Sequence, residues 1–264
     1  MPIRLAAIHR YPVKGLSPEL LPSVGLKPDS YFPGDRLYAV ENGPSGFDPA
    51  APAHQPKIKF LMLMRNEALA RLDTRYDDAN ATLVIRQGGQ EAARGDLRTP
   101  EGRKAIEDFM REFVPDALRG EPRVLTAPEG FRFTDSPRGF VSILNLASVG
   151  ALETMTGQAV DPLRFRANLH VEGLEPWAEF EFVGRTLTTA SGVRLEVIKR
   201  IVRCAATNVD PGTGTRDLDI PGTLMRHLGH ADCGIYARIL SGGTLAPGAA
   251  LNLESLPEPA LPMA

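Results

Sequence analysis

Cysteine is scarce in this chain, with only Cys204 and Cys233 in 264 residues. Two thiols are too few for a disulfide scaffold, and they cannot by themselves hold an iron–sulfur cluster, which usually takes four thiolates. Any redox chemistry must therefore draw its electrons from outside the chain. A surplus of charge is also missing, because 30 Lys and Arg face 32 Asp and Glu for a formal net charge of -2. Such a balance supplies no long-range field to gather a polyanion, which argues against nucleic acid as a partner. No run approaches the roughly 20 apolar residues of a membrane helix. Pro2, Arg4, His9 and Arg10 also interrupt a secretory signal at the start. The expectation is a cytoplasmic protein with no membrane partner. Phosphate-loop, dinucleotide-fingerprint and nucleophile-elbow motifs are absent as well, which removes kinase, Rossmann and hydrolase readings.

Breakers are plentiful. The 25 Gly and 23 Pro are spread along the chain, so the segments between them are short and strand-like. The pattern predicts a mainly β, α+β protein with a few short helices. Strands are expected at Ile3–Tyr11, Arg36–Glu41, Ile58–Met64, Thr82–Arg86, Gly139–Leu144, Asn168–Val171, Arg194–Val202 and Gly234–Leu240. One helix is signalled by Thr99 as a cap before Pro100, with Ile106, Phe109, Met110 and Phe113 on one stripe and Pro115 as the stop. A second runs from about Ala147 to Thr156, capped by Asn145 or Ser148 and ended by Gly157. The length suits two β-rich halves, 1–120 and 121–264, and Gly120–Pro137 reads as a linker.

Cys204 is the most informative position. It closes the strand Lys199-Arg200-Ile201-Val202-Arg203 and opens a loop of small residues from Ala205 to Gly214. Such a loop exposes backbone N–H groups, and neighbouring Lys199, Arg200 and Arg203 would favour a thiolate there, as soft ligand or nucleophile. The alternative is a buried structural cysteine. Lys14, Arg36, Arg164 and Arg166 offer charges suited to phosphate, and Asn168 offers a donor and an acceptor to a heterocycle. Asn145 and Ser148 stand at a helix N-terminus, which suits an anion but is more commonly plain capping. A rival group, His227, His230 and Cys233, has zinc-compatible spacing, although Gly229 and Gly234 weaken the helix it requires.

Tyr11-Pro12-Val13-Lys14-Gly15, Gly34-Asp35-Arg36, Arg164-Phe165-Arg166-Ala167-Asn168 and Arg203-Cys204 with Thr207, Val209, Asp210 and Pro211 occur in one order over nearly the whole chain. Together they resemble the MOSC superfamily, and in particular members with an added N-terminal β-barrel domain such as the mitochondrial amidoxime-reducing component and its bacterial relatives. The resemblance implies a MOSC-type β-barrel from about Arg123 onward and a molybdopterin-type molybdenum cofactor between the two domains. It implies Cys204 as the metal ligand, Lys14 and Arg36 as phosphate or pterin contacts, and Arg166 and Asn168 on the pterin. Thr207 belongs to the cysteine motif, and Asn145 and Ser148 stand where the family's Ser-rich segment faces the cofactor. The implied reaction is reductive removal of oxygen from small N-hydroxylated compounds, with Arg203 stabilising charge near the metal. Electrons would come from a separate ferredoxin, flavodoxin or cytochrome-type donor with its reductase. A non-catalytic carrier of cofactor or sulfur on Cys204 is the alternative, and a zinc or thiol-redox protein a third. Gly15 departs from the family, where many members carry serine, as does Ala249, where an acidic residue often follows the glycine.

Overall fold

Turns and prolines cut the chain into fifteen strands and three α-helices in a computed structural model that describes residues 2–136, 138 and 140–254. The first half carries β1 (Ile3–Arg10), β2 (Glu19–Leu20), β3 (Val24–Leu26) and β4 (Tyr38–Glu41). A meander follows, of β5 (Leu72–Asp77), β6 (Thr82–Gln87) and β7 (Gln90–Asp96), then α1 (Pro100–Phe113) and β8 (Arg123–Thr126). The second half carries β9 (Val141–Asn145), α2 (Leu146–Thr156), β10 (Leu169–Glu172), β11 (Thr186–Thr188) and β12 (Arg194–Val202). It ends with α3 (Ile220–Leu228), β13 (Asp232–Ser241), β14 (Gly243–Leu245) and β15 (Ala250–Leu253). The expected mainly β architecture is therefore found.

Seven strands close a barrel in the order β10, β9, β13, β12, β11, β15, β1, with β1 returning to pair with β10. Closure removes the sheet edges, which would otherwise present unpaired backbone groups. Leu5 and Ile8 of β1, Ile143 of β9, Leu195 and Val197 of β12 and Ile235 and Ala237 of β13 fill the interior, each at most 1% exposed. Strands β9 and β10 run parallel, and α2 makes the crossover between them. The halves interleave. Strand β1, from the beginning of the chain, completes the second half's barrel, whereas β8, in the segment expected as a linker, pairs with β4. Pro137, at the end of that segment, and Gly139, at the start of an expected strand, lie outside the described residues.

Around the meander, α1 lays Ile106 and Met110 into a second core with Leu83, Ile85 and Leu97. Its expected ends are found: Thr99 accepts from the Gly102 N–H, Pro100 opens the first turn, and Val114 caps the last. Helix α2 likewise starts at Asn145, which accepts from Ala147 N–H, and ends at Gly157 in the left-handed region. The strand expected at Ile58–Met64 is a correction. Lys57–Lys59 form a 3-10 turn, and only Phe60 bridges Glu41. Phe60, Leu61, Met62 and Leu63 are all buried, so the run is apolar because it is enclosed on every side, not because it extends in a sheet. Among the described residues no helix is long and apolar enough to cross a membrane.

Candidate functional site

The outer side of the barrel carries a row of side chains contributed by neighbouring strands. Lys199 of β12 stands opposite Tyr236 of β13, and Tyr236 opposite Ser142 of β9. Ser142 then bonds Asn168, just before β10, through its backbone N–H (3.2 Å) and its hydroxyl (2.8 Å). This row borders a cavity of about 410 Å³, and the Cys204 loop, the Lys14 turn, residues 134–136, Arg36, Lys57 and the Arg164–Arg166 segment are among the other parts of its wall. The size lies within the range of small-molecule sites.

Cys204 follows β12 and begins a short 3-10 turn, Ala205–Asn208, leaving its thiol half-buried at the cavity wall. Thr207 is buried behind it, bonding back to the Cys204 carbonyl through its hydroxyl (2.9 Å) and N–H (3.0 Å). The cation that reaches the sulfur is Lys57, whose Nζ lies 3.4 Å from Sγ. Lys57 also faces Asp135 at 3.7 Å. Burial opposes the Lys57 charge, but Asp135 and the Cys204 sulfur outweigh it and hold its pKa above the ordinary lysine value. Asp135 in turn receives Lys14 Nζ, which donates to the Phe133 carbonyl as well (3.0 Å). Burial alone would raise the Asp135 carboxyl, yet Lys14 and then Lys57 hold it at about 2. Lys14 itself is pulled below the ordinary lysine value by burial.

Beside this chain of charges, two guanidiniums lie against the Tyr11 ring, Arg166 at 4.2 Å and Arg36 at 4.6 Å from its centroid. Asp35, itself bonded by the Tyr11 N–H (2.8 Å), pairs with Arg36. Arg36 also donates to the Arg166 carbonyl (3.2 Å), and Arg166 donates to the Leu16 carbonyl (2.8 Å). Both arginines have left-handed backbones, with φ of 49° and 51°, an uncommon conformation for residues other than Gly. Burial and the nearby Arg36 charge lower Arg166 to about 10. Eight cationic side chains line the cavity against the carboxylates of Asp35 and Asp135. Arg166 and Arg203 each keep a buried Nη2 without a partner among the described residues, an unmet donor in a cation-rich cleft.

The structure thus brings Lys14, Arg36, Arg166, Asn168, Arg203, Cys204 and Thr207 to one cavity, and it separates Asn145 and Ser148 from it. That is a correction. Asn145 Nδ2 donates to the Glu175 carbonyl (2.9 Å) and Glu179 (2.8 Å), and Ser148 Oγ donates to Glu179 at 3.0 Å. They cap α2 around a buried carboxylate and are fully engaged there. The expected cationic neighbours of the sulfur are redistributed too. Arg203 donates to the carbonyls of Cys233 (2.7 Å) and Phe165 (2.8 Å), and Arg200 lies over the Phe180 ring at 4.4 Å. Lys57, from a loop without a motif, takes their place at the sulfur, and Asp135, from the supposed linker, faces Lys57 as its counter-charge. Neither carried a signal in the sequence.

His227, His230 and Cys233 do not converge, because α3 ends at Gly229, which adopts the left-handed conformation. Cys233 is fully buried, and burial pushes its thiol up to about 12. Among the described residues no group of three His, Cys, Asp or Glu side chains is arranged to hold a metal ion.

Comparison with known families places the MOSC domain on residues 131–252 and the MOSC N-terminal beta barrel domain on residues 2–116. Among solved structures, the YuaD protein from Bacillus subtilis is similar over 97% of this chain and 98% of its own, at 12% identity and a TM-score of 0.46. YiiM from Geobacillus stearothermophilus is similar over 44% of this chain and 54% of its own, at 20% identity and a TM-score of 0.34. No curated protein matches the chain.

Proposed function

We propose that this chain, which belongs to the MOSC family and carries the MOSC N-terminal beta barrel domain ahead of the MOSC domain, binds a molybdopterin-type molybdenum cofactor and reduces small N-oxygenated compounds. The observation that carries the reading is one half-buried thiol, Cys204, on the wall of a cavity with eight cations, three of which (Arg164, Arg166 and Arg203) hold buried N–H groups unpartnered among the described residues. A soft sulfur donor suits molybdenum, and clustered guanidinium and ammonium groups suit a phosphate. The residues present therefore fit such a group. Cys204 would ligate the metal. Lys14 and Arg36 would hold the phosphate end, and Arg166 would hold the pterin and present its free Nη2. Asn168 gives one Nδ2 hydrogen to the His9 carbonyl (3.2 Å), leaving the other for the heterocycle.

When bound, molybdenum supplies two-electron oxygen-atom transfer. In the overall reaction the N–O bond of the substrate breaks, two electrons and two protons are taken up, and the oxygen leaves as water. The electrons come from a separate donor protein. The chain's own part is placement. Thr207 and the 3-10 turn fix the Cys204 backbone, Lys57 holds an ammonium against the sulfur, and Arg203 keeps a charge at the wall.

Elemental analysis of protein made in a cofactor-producing host tests the reading. Molybdenum near one per chain, lost in Cys204→Ser, together with conversion of benzamidoxime to benzamidine by a reduced viologen, is the expected result. Zinc in its place, or no molybdenum, overturns it. Molybdenum without turnover turns the reading into that of a carrier.

A further inference from the structure

Lys199 occupies a position that a regular strand would bury. Leu195, Val197, Lys199 and Ile201 share one parity along β12, and Leu195 and Val197 are 0% and 1% exposed inside the barrel. The register shows how the lysine escapes. Val197 pairs with Ala237 and Lys199 with Tyr236, so β12 spends two residues where β13 spends one. This bulge turns Lys199 onto the outer side, and bulges next to functional sites re-aim side chains in this way.

What Lys199 meets there is a pair of rings. Its ammonium lies 5.7 Å from the Phe140 centroid and 5.8 Å from that of Tyr236, and the two rings lie 5.6 Å apart. Contact with ring faces orients an ammonium without neutralising it. The other lysines of the cavity differ in this respect: Lys14 and Lys57 share Asp135. Among the described residues Lys199 has no carboxylate within ion-pair distance, although it lines the same cavity. Val202, two residues before Cys204 and 74% exposed, extends the apolar border on the same strand.

We propose that Lys199 with the Phe140–Tyr236 pair forms a substrate subsite that takes a planar ring carrying an anionic substituent. The ring packs on the aromatic pair and Val202, and the anion meets the cavity lysine that has no counter-charge among the described residues. The subsite is distinct from the Arg36–Tyr11–Arg166 stack assigned to the cofactor. It names the substrate class of the proposed reductase, and so rests on that reading for its chemistry, but not for its binding.

The test measures binding and turnover separately on the purified holoprotein. Calorimetry with para-carboxybenzamide and with uncharged benzamide is expected to show a preference for the carboxylate of about fivefold, weakened by salt. Lys199→Met is expected to abolish the preference, Lys199→Glu to invert it and Lys199→Arg to retain it. The KM ratio of benzamidoxime to para-carboxybenzamidoxime is expected to follow the same order. Equal binding of the two amides by the wild-type protein, or a preference that survives Lys199→Met, overturns the subsite. Absence of turnover with either amidoxime overturns the reductase reading instead, and the amide binding still decides the subsite.

Discussion

Gly15 shows how a single residue is fixed by a neighbour far away in the chain. It occupies the third position of a turn closed by the Leu16 N–H on the Val13 carbonyl (3.2 Å), with φ of +83°. That is the glycine position of a type II turn, and it aims the preceding Lys14 at Asp135. A Cβ at Gly15 would lie 2.9 Å from the Leu61 carbonyl oxygen, so a serine at this position has no room here. Gly15→Ser is expected to destabilise the fold by about 1 to 3 kcal/mol in a denaturant titration, from left-handed strain and the displaced Leu61 carbonyl together. It is also expected to add no molybdenum, because the turn that aims Lys14 is disturbed. A variant both as stable as wild type and richer in metal would show that the Leu61 segment moves freely.

At the scale of elements, the start of α2 depends on a carboxylate from another segment. Glu179 is 1% exposed and accepts from Asn145 Nδ2 and Ser148 Oγ, while Ser148 Oγ also accepts from the Trp177 N–H (2.8 Å). Burial raises the Glu179 carboxyl above its ordinary value, and the surrounding donors only partly offset this. Glu179→Ala would leave the Ser148 hydroxyl and one Asn145 Nδ2 hydrogen without their acceptor, at a cost of about 2 kcal/mol or more by denaturation, with the cavity lining untouched. Loss of molybdenum without loss of stability would instead return Asn145 and Ser148 to the cofactor site. The ends of α1 and α2 were legible because a cap, an N1 proline and a terminal glycine act locally. Cys204, Lys14, Arg36 and Arg166 were singled out together by the four short runs that carry the resemblance to the family, and the fold brings those runs to one cavity. Lys57 was not, as it lies 147 residues from Cys204 in sequence and only the fold joins them. The bulge at Lys199 is equally silent, because parity alone places that side chain in the core.

At the scale of the molecule, the barrel that carries one wall of the cavity is closed at a seam where β1 meets β10. Asn168 is tied across this seam to the His9 carbonyl, and beside it the His9 and His170 rings lie 4.6 Å apart. Both histidines are buried, and among the described residues His9 Nδ1 and His170 Nε2 find no hydrogen-bond partner. Burial, then His9, then Arg203 hold His170 at about 3, and burial lowers His9 against an opposing Asp161. The folded seam therefore stays uncharged where the unfolded chain, with ordinary imidazoles near 6.5, takes up protons. Stability from His170 is fully present above the unfolded value and is lost as pH falls from about 6.5 toward 3, by up to about 1.4 kcal/mol per pH unit, and the lowered His9 acts in the same direction. Melting curves between about pH 7 and pH 5 should show a steep loss in the wild-type protein, and a shallower one in His9→Gln/His170→Gln. Because β1 pairs with both β10 and β15, the barrel should open as one unit, and the two halves should melt in a single transition at each pH. Equal slopes in the two proteins would mean that the seam admits protons without opening, and the acid sensitivity would have to come from another part of the fold.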